Sequence, residues 1–157
     1  MIERMCRWGV GPLFAACALA GVAAAIAVDT VLGHVFTFPW LPAPVRIGLG
    51  AALILWGVAF YAAAAVTVMR AYDTDTLLTH GVYARCRHPV YAAWAVFILP
   101  GAFMVGNCWL GLVLSFGLCW LVRRLAVKED KYLEGRFGDA FRAYRKRVPA
   151  VLPFGWS

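Results

Sequence analysis

The chain has 157 residues, of which 63% are apolar and 15% charged, and its mean hydropathy is +0.74. A water-soluble domain has about 45 to 50% apolar and about 25% charged residues, so this composition excludes an ordinary soluble domain and indicates a polytopic membrane protein. The formal net charge of +7 is not accompanied by any groove-reading module, so we expect no nucleic-acid partner. The five cysteines form no C-x-x-C pair, and we expect neither a disulfide framework nor a bound metal.

The first apolar segment follows two basic residues, Arg4 and Arg7, and could be mistaken for a cleaved secretory signal. Its uncharged run from Trp8 to Val28 has 21 residues, whereas the apolar part of a signal peptide has about 7 to 15. That length matches a bilayer span. We therefore expect an uncleaved signal-anchor helix over residues 8–30.

Two further uncharged runs, 47–69 and 89–122, have 23 and 34 residues. A single helix of the second length would be about 51 Å long, far more than the roughly 30 Å of a hydrocarbon core. Gly106 and Asn107, near the middle of that run, are typical turn residues. We therefore expect four transmembrane helices, the third and fourth forming a tight hairpin, at residues 8–30, 47–69, 88–105 and 107–127.

The distribution of positive charge supports four spans independently. With four spans, 14 of the 15 Lys and Arg residues lie on one side of the membrane and only Arg46 lies on the other. With three spans, the nine basic residues of the tail would move to the opposite side. Because Lys and Arg collect in short cytoplasmic loops, we expect both termini to be cytoplasmic. The membrane we expect is a bacterial inner membrane, with an organelle membrane as the alternative.

The tail after Val127 has a different pattern. Apolar residues recur at helical spacing at Leu133, Phe137, Phe141 and Tyr144, and basic residues occupy the positions between them. This pattern predicts a C-terminal amphipathic helix on the inner membrane surface, in contact with anionic membrane lipids. We expect an all-α protein with a single membrane domain over residues 1–157.

Two polar clusters lie where the third span begins and where the fourth span ends, in segments 78–91 and 128–154. Polar groups at a membrane boundary are costly and are usually kept for function. A hairpin of about 18 residues out and about 20 residues back returns the chain to the same membrane face. The sequence therefore predicts that His88 and Glu129 are near neighbours.

The residue types in these clusters suit a binding site. Pro89 fits the first turn of a helix, and the free N–H groups of that turn, together with Arg87, could bind a carboxylate. His88 and Glu129 are the candidates for catalytic proton transfer. Alternatively, Arg87 only anchors the topology, and Glu129 with Asp130 forms a solvated helix turn.

The combination of these residues resembles the superfamily of integral-membrane methyltransferases that includes isoprenylcysteine carboxyl methyltransferases and phospholipid methyltransferases. That family shows Gly-Pro-Tyr, then Arg-His-Pro-x-Tyr-x-Gly, a helical hairpin, Glu-Glu, Phe-Gly, spaced tyrosines and a late Val-Pro. The matching positions here are Gly81, Tyr83, Arg87, His88, Pro89, Tyr91, Glu129, Phe137, Gly138, Tyr144, Val148 and Pro149. The departures from the family pattern are Val82, Ala93, Asp130 and Phe141.

The resemblance implies S-adenosylmethionine as the methyl donor. The cofactor-binding residues that it implies are Gly81, Tyr83, Arg87, His88, Pro89, Tyr91, Glu129 and Asp130. The donor's carboxylate suits Arg87, and its amino group or ribose hydroxyls suit Glu129. Its adenine can pack on Tyr83 or Tyr91, and aromatic faces also attract a sulfonium.

The methyl acceptor stays open between an isoprenylcysteine-type carboxylate, a phospholipid amine and another small lipophilic molecule. We expect it to enter laterally from the membrane, because the predicted pocket has apolar walls within the membrane boundary. A carboxylate is already nucleophilic, whereas an amine or thiol must first lose a proton to a base such as His88 or Glu129.

Two other classes of protein remain as alternatives. One is an NADPH-dependent membrane reductase related to sterol reductases, which tends to carry Asn-Tyr where this chain has Val90-Tyr91. The other is a non-enzymatic membrane scaffold whose basic tail binds anionic lipid. A homodimer that completes the pocket is also left open.

Overall fold

The structure, a computed structural model, describes residues 11–74 and 76–151. For residues 71–74 it describes the backbone only. The expectations for Arg4, Arg7, the first three residues of the first span and the last three of the segment 128–154 lie outside the described residues. Within them the chain forms helices joined by turns. These are α1 (Gly11–Val31), α2 (Ala43–Thr74), a 3₁₀ turn (Gly81–Ala84), α3 (Pro89–Val105) and α4 (Leu110–Arg147).

Three of these helices are long and apolar enough to cross a membrane: α1, α2 and α4. Large apolar side chains on their outer faces are exposed, as expected for surfaces that face lipid, and include Leu19, Leu55 and Phe116. The protein is therefore an all-helical integral membrane protein. α3 is apolar but has only 17 residues, at the lower limit for a span, so the count of four spans stays a prediction.

A tight turn joins α3 to α4 and forms the predicted hairpin. Asn107 has a positive φ of 60°, and the Cys108 N–H donates to the Phe103 carbonyl at 3.0 Å. Asparagine tolerates this left-handed conformation better than most residues, which explains its place in the turn. The side-chain oxygen of Asn107 also accepts a hydrogen bond from the Phe38 N–H at 3.2 Å. The prediction of a turn at Gly106 and Asn107 is confirmed.

Close packing against α2 holds one side of α3. A Cβ added at Gly101 would lie 2.6 Å from the Gly50 carbonyl oxygen, and a Cβ added at Gly57 would lie 2.8 Å from the Phe97 Cβ. Small residues let helix backbones approach in this way where no hydrophobic effect drives association. Near this contact α3 contains a π-helical segment, Ala93–Ile98, which starts two residues after Tyr91.

At the far end of the hairpin, Arg46 caps α3. It is 8% exposed, and its Nη1 donates to the carbonyl oxygen of Val105 at 2.7 Å and to that of Met104. A cation at a helix C-terminus satisfies carbonyls that have no partner within the helix. Because α2 begins at Ala43, Arg46 lies in its first turn rather than in the loop between the first two spans.

α4 does not end where the sequence suggests a separate surface helix. It continues through Lys128 without a break, because no residue there interrupts a helix and Lys, Glu and Leu favour one. The first break is at Gly138, with φ 54° and ψ −126°. A distinct amphipathic helix from residue 128 is therefore not seen, and the segment after Gly138 turns back toward α3.

A cluster of buried side chains unites α1, α3, α4 and the end of the described chain. Its members are Phe14, Cys86, Ala92, Ala95, Leu99, Leu118, Val122 and Val151. The cluster lies beside the first turn of α3, so the polar residues that enter this helix pack against buried apolar side chains.

Gly101→Ala should destabilise the protein by about 1 to 3 kcal/mol, because the added methyl would overlap the backbone of α2. Gly117→Ala is the matched control, since a Cβ added there has no neighbour within 4 Å. This control should be neutral or gain up to about 1 kcal/mol from helix propensity. Unfolding in mixed detergent micelles measures both changes, and equal stability of the two variants would contradict this packing.

Candidate functional site

The residues that enter α3 lie against the middle of α4. His88 Nδ1 is 3.0 Å from Glu129 Oε2, and His88 Nε2 is 3.3 Å from Asp130 Oδ1. All three side chains are buried. The prediction that the hairpin makes His88 and Glu129 near neighbours is confirmed.

Two further side chains complete this network. Arg87 Nη2 donates to Asp130 Oδ2 at 2.8 Å, and the Tyr91 hydroxyl donates to Glu129 Oε1 at 2.9 Å. Asp130 thus bonds both members of the Arg-His pair, although it is one methylene shorter than the family's glutamate. The acidic pair is a structural part of the site and not a solvated helix turn.

The hydrogen-bond inventory of His88 indicates its protonation state. Ionised carboxylates only accept hydrogen bonds, and a neutral imidazole has a single N–H, so a ring between two carboxylates is satisfied when it carries both protons. Burial alone would lower the pKa of His88, but the hydrogen bonds and charges of Asp130 and Glu129 outweigh it and raise the pKa above its ordinary value of 6.5. The buried site then holds two positive and two negative charges.

Residues 145–150 form one wall of the site. Arg87 Nη1 donates to the carbonyl oxygens of Val148 at 2.8 Å and Arg145 at 3.1 Å. The backbone N–H groups of Arg87 and His88 donate to the carbonyls of Pro149 at 2.9 Å and Ala150 at 3.0 Å. Sequence reasoning missed these contacts, and its only signal for them was the Val-Pro element of the family pattern.

The 3₁₀ turn carries two further predicted site residues, Gly81 and Tyr83, and leads into the segment of Arg87 and His88. Gly81 has a φ of +61°, which favours glycine, and the Tyr83 ring is buried. The Tyr83 carbonyl accepts a hydrogen bond from the Tyr144 hydroxyl at 2.7 Å. Pro89 is fully buried as the first residue of α3.

α1 supplies an aromatic ring that sequence reasoning did not place here. The rings of Phe14 and Tyr91 have centroids 5.2 Å apart, and a Cβ added at Gly11 would lie 3.8 Å from the Tyr91 hydroxyl. The site therefore combines aromatic faces with two carboxylates. That combination suits a ligand that is both cationic and aromatic.

Comparisons with known proteins relate most of the chain to one family. The family profile described as "Isoprenylcysteine carboxyl methyltransferase (ICMT) family" matches residues 46–134. The Protein-S-isoprenylcysteine O-methyltransferase of Mus musculus is 39% identical over 82 residues, which are 52% of this chain and 29% of that protein. The protein of the same name from Schizosaccharomyces pombe is 35% identical over 77 residues, 49% of this chain and 33% of that protein.

A relative with a different name also matches. The Cobalt-zinc-cadmium resistance protein CzcN of Cupriavidus metallidurans is 32% identical over 79 residues, 50% of this chain and 36% of that protein. The chain thus spans about a third of the length of these curated relatives. No solved structure matches it.

The charge of His88 should make folding stability depend on pH. Because its pKa is raised in the folded state, its stabilising contribution is complete below about pH 6.5 and is lost as the pH rises through the raised value. The difference in melting temperature between wild type and His88→Gln in detergent should therefore shrink as the pH increases. His80→Gln, at an exposed histidine, is the control for the change from histidine to glutamine. A difference in melting temperature that stays constant as the pH rises above about 6.5 would contradict a charged His88.

Proposed function

Because the chain belongs to the isoprenylcysteine carboxyl methyltransferase family, we propose that it transfers a methyl group from S-adenosylmethionine to a lipophilic acceptor of the isoprenylcysteine type. The observation that carries this proposal is the buried network of His88, Glu129 and Asp130. All three residues lie within the range 46–134 that matches the family.

The side chains around this network suit the methyl donor. Glu129 and Asp130 offer acceptors for an amino group or for ribose hydroxyls. Tyr91, which packs on the buried Phe14, offers an aromatic face for a sulfonium or an adenine. His88 orients the two carboxylates. The donor supplies an activated methyl group on sulfur, and the chain's own task is to bind it, aim it and keep water away.

The pairing of both His88 ring nitrogens argues against a general-base role for this residue. A ring that carries a proton on both nitrogens has no lone pair with which to accept another proton. Each Glu129 oxygen accepts a hydrogen bond, from His88 or from Tyr91, and a carboxylate oxygen can accept a second one from the donor. An acceptor that is already ionised, such as a carboxylate, needs no base, and two of the relatives are named as O-methyltransferases.

The acceptor's chemistry also fits the surroundings. The outer faces of the helices are apolar, so a prenyl chain could stay in the bilayer while its carboxylate reaches the polar network. In this proposal the site faces the cytoplasm and both termini lie there, because that arrangement puts most basic residues inside. A bacterial inner membrane and a homodimer that completes the pocket stay predictions.

The donor site can be tested by calorimetric titration of the detergent-solubilised protein with S-adenosylhomocysteine. Glu129→Gln should weaken binding about tenfold or more, because it removes a charge from a buried, balanced network. Glu134→Gln makes the same change at a partly exposed position of α4 and should bind like wild type. NADPH, titrated in parallel, should not bind. Binding of NADPH alone would replace the proposal with a reductase, and binding of neither ligand would favour a scaffold.

The acceptor class can be tested with N-acetyl-S-farnesylcysteine beside vesicles that contain phosphatidylethanolamine. Only the farnesylated carboxylate should accept a methyl group from labelled S-adenosylmethionine. Between about pH 6 and pH 8 the rate should change little, because a carboxylate is ionised throughout this range and no base has to lose a proton. Methylation of the amine, with a rate that rises steeply with pH, would contradict a carboxylate acceptor.

A further inference from the structure

The segment of residues 148–151, here named the C-terminal strap, follows α4 and crosses the entrance to α3. Its carbonyl groups at Pro149 and Ala150 accept hydrogen bonds from the backbone N–H groups of Arg87 and His88. These two donors precede the helix and would otherwise be buried without partners. The strap therefore fixes the backbone that carries the His88 ring.

The Arg87 side chain is also committed to the strap and to α4. Nη1 bonds the carbonyl oxygens of Val148 and Arg145, and Nη2 bonds Asp130. The side chain is only 10% exposed. Its Nε is buried and has no hydrogen-bond partner among the described residues, so a ligand oxygen could reach it only if the surrounding chain moved.

We propose that Arg87 is a positioning residue: it holds the C-terminal strap across the entrance to α3 and thereby keeps His88 between its two carboxylates, without binding the donor's carboxylate. This inference rests on the proposed function, and it differs from the role that the family resemblance implies for Arg87. It assigns the strap, which lies outside the residues matched to the family, to the donor site.

Apolar contacts and one glycine keep the strap in place. Val148 and Val151 are 7% and 1% exposed, and they belong to separate buried clusters. The chain can return to Arg87 because α4 breaks at Gly138, whose φ of 54° and ψ of −126° suit glycine alone. Changing Gly138 should therefore loosen the strap without removing a polar group of the site.

The role of Arg87 can be tested with two ligands, S-adenosylhomocysteine and its methyl ester, which lacks the negative charge of the carboxylate. Arg87→Lys keeps the positive charge, but one ammonium group cannot bond three separated acceptors as a guanidinium does. Both ligands should lose affinity by the same factor, on the order of tenfold, with an unchanged binding stoichiometry. Arg142→Lys, at an exposed arginine, should change neither affinity.

The strap can be tested by Gly138→Ala, with Gly135→Ala as the matched control. A Cβ added at either position has no neighbour within 4 Å, but only Gly138 has a positive φ. Gly138→Ala should speed hydrogen exchange in a peptide that covers residues 148–151 and weaken both ligands alike. Gly135→Ala should leave exchange and affinity unchanged.

The possible outcomes separate this inference from the proposed function. If wild type binds neither ligand, the proposed function fails. If wild type binds and Arg87→Lys loses affinity for the acid but not for the ester, Arg87 binds the carboxylate and only this inference is overturned. It is also overturned if faster exchange in the strap leaves both affinities unchanged. A lower stoichiometry with unchanged affinity would mean that the substitutions only reduce the folded fraction, which also contradicts positioning.

Discussion

The bridge that His88 makes between Glu129 and Asp130 joins the two segments on which the site depends. A buried carboxylate without a partner costs several kcal/mol, and two adjacent ones also repel each other. Arg87 and His88 together offset these charges, so the four side chains form a balanced unit. Removing any one of them leaves a buried charge uncompensated, which is why the segment that enters α3 and the middle of α4 have to stay together.

The rest of α3 is arranged so that this unit is held in a fixed place. Arg46 caps the helix at its far end, Gly101 contacts the backbone of α2 along its side, and the turn at Asn107 sets the pairing with α4. The site therefore rests on helices that are fixed at several points. The proposed methyl transfer would need such a rigid support, because an in-line displacement depends on the distance and direction between the reacting atoms.

Local sequence information was sufficient for part of this arrangement. Uncharged runs and the turn chemistry of Gly106 and Asn107 predicted the hairpin, and helix rise alone predicted that His88 and Glu129 meet. The return of the tail could not be predicted in this way. Arg87 bonds carbonyl groups of Arg145 and Val148, which lie 58 and 61 positions away, and backbone carbonyls leave no signature in a sequence.

Other features were missed because tertiary contacts decide them. The periodic apolar residues after Val127 indicated a separate surface helix, but nothing there stops α4 before Gly138. The packing of Phe14 on Tyr91 joins α1 to the site, and two aromatic residues in different helices give no sign in the sequence that they touch. The family resemblance pointed to candidate residues, whereas only the structure shows that Arg87, His88, Tyr91, Glu129 and Asp130 bond each other.

The protonation of His88 is the most direct test of this account, and nitrogen NMR of the ring in a histidine-labelled sample at neutral pH measures it. Assignment by comparison with His88→Gln isolates the signal. A charged bridge between Glu129 and Asp130 predicts two protonated ring nitrogens with the shifts of an imidazolium. One protonated and one bare nitrogen would contradict it, because a neutral ring cannot bond both Glu129 and Asp130 and would be free to act as a base.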